Sequence, residues 1–225
     1  MKLYMFPTST TCRPILLFCA EQDIPIEQVM VDLMTGAHHQ QPFLSVNPGR
    51  RVPVLEDDGF VLTEGSAILK YLATKHAPET YPDEPKLRAC INSRMDWFNT
   101  GFYMDFAYNL IYPQILPHCQ RDSEEVQAAT LKWGQQKSRE WLSLLNDHLL
   151  GPEQKYLCGN SITIADYLAT GYLTLGELIG VDLTEFTNVS RWLDRMKALP
   201  SYEGVHEAFD GWAASMKEQT FVTLI

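Results

Sequence analysis

No stretch of this chain is apolar for long enough to cross a bilayer, and MKLYMFPTS at its start has no apolar signal-peptide core. Basic residues are few. Eighteen Lys and Arg stand against 28 Asp and Glu, a net charge of -10 with a pI near 5.0. That balance excludes a nucleic-acid-binding face, which needs clustered positive charge. The five cysteines (Cys12, Cys19, Cys90, Cys119, Cys158) are scattered, with no Cys-x-x-Cys spacing. This argues against a disulfide framework and a zinc site, and suits a reducing compartment. There is no internal repeat and no low-complexity segment. What the chain has is core-forming material: 225 residues, 45% hydrophobic, enough for one large domain or two small ones. The expectation is a soluble cytoplasmic protein with no metal and no membrane partner.

The chain is organised around residues 47–71, NPGRRVPVLEDDGFVLTEGSAILKY. This reads as a loop, a strand (Val54-Leu55-Glu56), a tight turn at Asp57-Asp58-Gly59, a second strand (60–63) and a helix. Val52-Pro53 stands just ahead of a strand, where a cis X-Pro bond is cheap and proline removes a donor from the sheet edge. Thr63-Glu64-Gly65-Ser66 turns strand into helix, and a helix start offers unpaired N–H groups and partial positive charge to a carboxylate or phosphate. Upstream, Lys2-Leu3-Tyr4-Met5-Phe6 is a strand broken by Pro7. The hydroxyl-rich turn Thr8-Ser9-Thr10-Thr11-Cys12 follows, and Pro14 opens an apolar helix. Residues 26–32 form another strand with Val29 and Val31 on one face, and residues 35–41 a polar loop. The order is βαβ followed by ββα, with the first two strands parallel.

Pro78, Pro82 and Pro85 then punctuate the chain as a linker would, and everything beyond reads as helix. The expected division is an α/β domain at 1–77, a linker at 78–86 and an all-helical domain at 87–225. Pro85 opens a long helix through Trp97, Phe98 and Phe102. Asp122 with Glu125 is a capping-box-like start for a helix to about Leu150. Thr163 with Asp166 is a stronger box, followed by Ile164, Leu168, Tyr172 and Leu175 at helical spacing. Further helices fit 189–198 and 202–215. Asp166 reads as structural, with an expected value of about 0.5–2 kcal/mol for its cap.

A βαβ–ββα module with Val-Pro before its third strand, joined by a proline-rich linker to a helical domain, resembles the cytosolic glutathione transferases, with their thioredoxin-like first domain. The resemblance covers nearly the whole chain and rests on NP-x-R-R-VPVL (47–55), LTEG-x-AI-x-x-YL (62–72) and SITIAD (161–166). Pro7-x-Ser9-x-x-Cys12-Arg13 and Gly36-x-His38 resemble theta- and delta-class members, whereas Thr63-Glu64-Gly65 is similar to bacterial beta-class members.

The resemblance implies a homodimeric enzyme of detoxification that adds the glutathione sulfur to a small hydrophobic electrophile. Little thiolate exists at neutral pH when a thiol has its free pKa of about 8.5. A hydrogen-bond donor facing the sulfur would correct that. Ser9 takes the place of the activating serine, with Thr10, Thr11 and Cys12 as the alternatives in the same turn. By the same resemblance Val52, before a cis Pro53, pairs its backbone with the cysteinyl unit. Glu64 binds the γ-glutamyl ammonium, while Gly65 or Ser66 N–H holds the γ-glutamyl carboxylate. Arg51 and His38 face the glycine carboxylate, with weaker claims for Arg50 and His39. Most theta and delta members carry serine where this chain has Gly65. Arg13 is expected to support the sheet or a subunit interface. Of the run Trp97, Phe98, Phe102, Tyr103, Met104, Phe106 and Tyr108, one or two are expected to line the electrophile site. A dehalogenase, thiol-disulfide reductase or peroxidase using glutathione, or a non-catalytic binding or regulatory member, are the alternative functions on the same fold.

Overall fold

The computed structural model describes residues 1–224; Ile225, last in the expected helical domain, lies outside the described residues. Leu3 and Met5 alternate with Lys2 and Tyr4 to make a half-buried strand, β1 (Lys2–Met5), which Pro7 stops. The helix α1 (Arg13–Glu21) has Pro14 in its first turn, where a missing N–H costs nothing, and is buried from Arg13 to Cys19. β2 (Glu27–Met30) is shorter than the expected 26–32, and Val31 is buried just beyond its end. A short α2 (Phe43–Val46) follows. β3 (Val54–Asp57) and β4 (Phe60–Thr63) form a hairpin. Asp58 and Gly59 both take positive φ (53° and 82°), the conformation a tight two-residue hairpin turn requires. α3 (Gly65–His76) completes the module.

The four strands lie in the order β2-β1-β3-β4, with β1 parallel to β2 and antiparallel to β3. This is a thioredoxin-like sheet, and the rest of the described chain is helical: α4 (Pro85–Trp97), α5 (Tyr112–Ile115), α6 (Glu124–Leu144), α7 (Ile164–Thr174), α8 (Thr187–Lys197) and α9 (Tyr202–Met216). The helix from Pro85 does run past Phe102, but loosens into π-helical turns at Phe98–Phe102 and Met104–Ile111 before α5. The expected polar loop at 35–41 contains a turn of 3₁₀ helix, Ala37–His39. One apolar core runs without a break from Leu3, Ile15 and Phe18 through Phe98 and Phe106 to Leu168 and Trp192.

Two expectations are corrected here. The cap of α6 is Ser123, whose Oγ accepts from Val126 N at 3.2 Å; Asp122 lies one residue too early, because the helix starts at Glu124. Arg13 supports neither the sheet nor a subunit face. It is fully buried between α1 and the last helices, donating to Thr174 Oγ1 (2.8 Å) and Gly171 O (3.2 Å) and stacking 3.6 Å over Phe209.

The Thr163–Asp166 capping box is present and buried. Asp166 does more than cap. It accepts from Thr163 N and Oγ1 (2.9 and 3.0 Å), from Leu157 N (2.9 Å) and from Trp192 Nε1 (2.9 Å). One carboxylate thus joins α7, α8 and the segment ahead of α7. α7 also approaches the start of α1 and the turn ahead of it closely: a Cβ on Gly171 would lie 2.5 Å from Thr10 O and from Pro14 Cγ. Only glycine lets the helical half seat against the turn at residues 9–12.

Candidate functional site

The turn after β1 is a compact set of hydroxyls. Ser9 N donates to Phe6 O, and Ser9 O accepts from the amides of Cys12 and Arg13 (3.2 and 3.1 Å), so the backbone wraps directly into α1. Cys12 N also lies 3.4 Å from Ser9 Oγ, and Ser9 Oγ pairs with Thr11 Oγ1 at 3.3 Å. Thr11 Oγ1 donates to Val52 O at 3.4 Å, which ties this turn to the loop ahead of β3. Thr10 faces the other way. It is buried, and its hydroxyl pairs with Tyr112 Oη at 2.9 Å, which in turn pairs with Tyr103 Oη at 2.8 Å. The Cys12 thiol is fully buried, and burial pushes it up to about 11, against weaker opposing effects from Ser9, the Phe6 backbone and Arg13. It stays a thiol at neutral pH.

The Val52-Pro53 bond is cis. Its loop is shaped by Asn47, whose Oδ1 accepts from Gly49 N (2.8 Å) and whose Nδ2 donates to Arg51 O (2.8 Å). Asn47 is buried although polar, and sequence reasoning assigned it no role. The signal was available: asparagine two residues before glycine is an Asx-turn pattern. Among the described residues the Val52 amide donates to no protein acceptor, so a backbone donor stands unpaired beside Ser9 and Thr11. Arg51 is exposed on the same loop, and among the described residues its guanidinium has no hydrogen-bond or ion-pair partner.

α3 begins against this pair of segments. Gly65 packs so closely that a Cβ there would lie 3.3 Å from Thr11 O and 3.9 Å from Pro53 Cγ. Glu64, at its N-cap, takes φ 68° and ψ 117°, a conformation that costs a non-glycine residue about 1–3 kcal/mol, and its exposed side chain makes no cap bond. Among the described residues the first helical amides, Gly65, Ser66 and Ala67, have no protein acceptor; the first intrahelical bond is Ile68 N to Glu64 O at 3.0 Å. Ser9, Thr11, Val52, Pro53 and Gly65 are therefore one neighbourhood, with Glu64, Ser66 and Arg51 around it. His38 belongs to the 3₁₀ turn, where its ring lies against that of His39, centroids 3.9 Å apart and planes tilted by 45°. Its Nδ1 is buried without a partner, and burial, followed by His39 and His118, lowers its pKa.

On the helical side, the aromatic run divides as its spacing implies. Phe98, Phe102 and Phe106 are core, Trp97 is half-buried among Phe98, Phe102 and Trp141, and Met104 is exposed. Tyr103 and Tyr108 are the two that reach toward the turn, through Tyr112. Tyr172 stacks flat on Tyr103 (4.4 Å, 9°) and donates to Asn99 Oδ1 at 2.6 Å. Burial raises Tyr112 to about 12 and raises Tyr103 and Tyr172 as well. These phenols are hydrogen-bonding groups and not anions. Tyr112 was missed from sequence because nothing local marks it; 102 positions from Thr10, it meets Thr10 only through the fold.

A hydroxyl turn, a cis-proline loop with an open amide and a bare helix start meet on the thioredoxin-like half, beside a tyrosine cluster on the helical half. Comparison with known proteins gives the same class. Residues 3–80 match the model of the glutathione S-transferase N-terminal domain, and residues 102–200 that of its C-terminal domain. The chain belongs to the glutathione S-transferase family, whose members use glutathione as cosubstrate. Among solved structures it is similar to a delta-class glutathione transferase of Nilaparvata lugens (28% identity, TM-score 0.81, covering 97% of this chain and 99% of that one). It is also similar to an epsilon-class enzyme of the housefly, Musca domestica (26%, TM-score 0.81, covering 100% and 99%). Human glutathione-S-transferase T1-1 is a third (28%, TM-score 0.80, covering 98% and 92%).

Proposed function

We propose that the protein is a glutathione transferase in which Ser9 stabilises the glutathione thiolate for attack on a small hydrophobic electrophile. The observation that carries this is the meeting of Ser9 Oγ, the unpaired Val52 amide and the unpaired amides at Gly65 and Ser66 around one surface. Hydrogen accounting favours Ser9 within the turn. Thr11 has one hydroxyl hydrogen and gives it to Val52 O, and Thr10 is engaged with Tyr112 in the interior. The Ser9 hydrogen is held only by a long 3.3 Å contact to Thr11, while Cys12 N approaches its oxygen and strengthens it as a donor. It can turn to a sulfur at small cost. Cys12, buried and protonated, is a poor nucleophile.

Glutathione is the cosubstrate in this reading. The Val52 amide pairs with its cysteinyl unit, the α3 start takes the γ-glutamyl carboxylate and Glu64 the γ-glutamyl ammonium. Arg51 and His38 serve the glycine carboxylate. Lacking the serine common at position 65, the chain relies on backbone donors there, with the Ser66 hydroxyl beside them. The free amides are suited to this: a helix start stabilises an anion without a side-chain charge. Tyr103 and Tyr108 form the wall for the electrophile. The domain division is 1–77, 78–86 and 87–225, and the active form is a cytoplasmic homodimer. The class is theta/delta-like, supported by Ser9-x-x-Cys12-Arg13 and by the delta-class likeness, with a Thr63-Glu64-Gly65 segment similar to bacterial beta-class members.

The deciding experiment is a titration of purified protein with glutathione, following thiolate absorbance against pH, before a panel of electrophiles. A bound-thiol pKa well below the free value of about 8.5 supports the activating site. Binding with an unshifted pKa points to a binding protein, and no binding refutes the reading.

A further inference from the structure

Cys90 and Cys158 are 68 positions apart, yet Cys90 Sγ lies 3.6 Å from Cys158 Sγ. All five cysteines are free thiols, and no other two are paired in this way among the described residues. Cys90 is on α4. Cys158 is in the irregular segment between α6 and α7, in the tight Tyr156–Gly159 bridge. Both are partly exposed, unlike Cys12 and Cys19, which are closed off in the core. Neither belongs to the turn at Ser9 or to the loop at Val52, so the glutathione site leaves the pair unexplained.

We propose that Cys90 and Cys158 are an oxidation site, a thiol pair that a hydroperoxide converts to a disulfide and glutathione restores. A disulfide needs the sulfurs at about 2.05 Å, so closure asks for about 1.5 Å of approach from the 3.6 Å separation. The Cys90 sulfur, as thiolate, attacks the distal oxygen of the hydroperoxide. The O–O bond breaks, the alcohol or water leaves, and Cys90 becomes a sulfenic acid. Cys158 then attacks the Cys90 sulfur. The S–O bond breaks, the oxygen leaves as water, taking the Cys158 proton, and the S–S bond forms. The thiols together lose two protons and two electrons, and the peroxide gains them. In reverse, two glutathione thiols reduce the disulfide and leave as glutathione disulfide.

Burial, and then the neighbouring Cys90, raise the Cys158 pKa; the same disulfide forms whichever of the two sulfurs attacks first. The crosslink would tie α4 to the segment that presents Leu157 N to Asp166 and Leu157 O to Arg94 Nε on the same helix as Cys90. Closing a loop of that length in the unfolded chain raises resistance to unfolding. None of this depends on the transferase reading.

The test uses the full chain, reduced and freed of reductant, treated with a few equivalents of hydrogen peroxide. The free-thiol titre should fall from five to three and the intact mass by two hydrogens. Peptide mapping should find Cys90 joined to Cys158, and glutathione should restore all five thiols. The oxidised protein should unfold at higher urea, and the gain should vanish on reduction. Cys90→Ser and Cys158→Ser should each abolish the two-hydrogen loss. A link through any other cysteine, persistence of the loss in either variant, oxidation without a crosslink or an unchanged urea midpoint would each overturn the proposal.

Discussion

Replacing Ser9 with alanine separates chemistry from structure at one atom. The structural cost is small: the oxygen accepts from Cys12 N only at 3.4 Å, and that amide is already met by Ser9 O at 3.2 Å. A loss of no more than about 0.5–1 kcal/mol in stability is expected, the lower end for a hydrogen bond. The chemical cost is larger. A hydrogen bond to a charged acceptor contributes about 1.5–3 kcal/mol, and each pKa unit corresponds to about 1.4 kcal/mol. The bound thiol should therefore rise by about 1–2 units, and turnover at neutral pH should fall at least about tenfold while glutathione binding is spared. Because the missing help is thiolate formation, the deficit should shrink at alkaline pH, to within about threefold near pH 9.5, where the free thiol ionises unaided. The assays are thiolate absorbance and turnover across pH, beside urea unfolding. An unchanged bound pKa with unchanged turnover would refute the assignment and pass the role to Thr10, Thr11 or Cys12. A deficit that stays constant with pH would refute the thiolate argument itself.

Asp166→Ala should destabilise by about 3–5 kcal/mol in urea unfolding, above an ordinary cap, because four donors from three segments lose their acceptor; a loss under about 1 kcal/mol would contradict that count. Gly171→Ala should cost at least about 2 kcal/mol and lower turnover as well, since the new methyl would sit on Thr10 O and Pro14; a variant as stable and active as the parent would show that the contact yields. Tyr112→Phe should lower stability by about 1–2 kcal/mol by stranding the Thr10 and Tyr103 hydroxyls while leaving the bound-thiol pKa in place, and a shifted pKa would implicate Thr10 in activation. His206 is buried against Tyr202, and burial, then Arg13, lower its pKa from 6.5 to about 3. Its unfolded form binds the proton more readily, so its contribution is complete above about pH 6.5 and is lost as pH falls toward 3. His206→Phe should flatten that part of the stability–pH curve, and an unchanged slope would remove His206 as its source.

Sequence determined what is encoded locally. The alternation of Leu3 and Met5, the Asp58-Gly59 turn, the Val52-Pro53 pair, the Pro14 helix start and the Thr163–Asp166 box each depend on residues within a few positions of one another, where backbone preference and short-range hydrogen bonding decide the outcome. They identified the fold class and the stretch at 47–71. The Ser123 cap escaped even so, since neighbouring Asp122 offers the same chemistry and only the first helical turn chooses between them.

Tertiary structure decided everything that depends on long-range approach. It paired Thr10 with Tyr112 and bared the Val52 amide next to Thr11. It buried Arg13 against Phe209 instead of leaving it on a surface, gave Asp166 two donors beyond its own cap, and set Cys90 against Cys158. Contacts of this kind have no periodicity and no spacing rule. They follow from how one continuous core closes, and a side chain's donor or acceptor is committed only once its neighbours arrive.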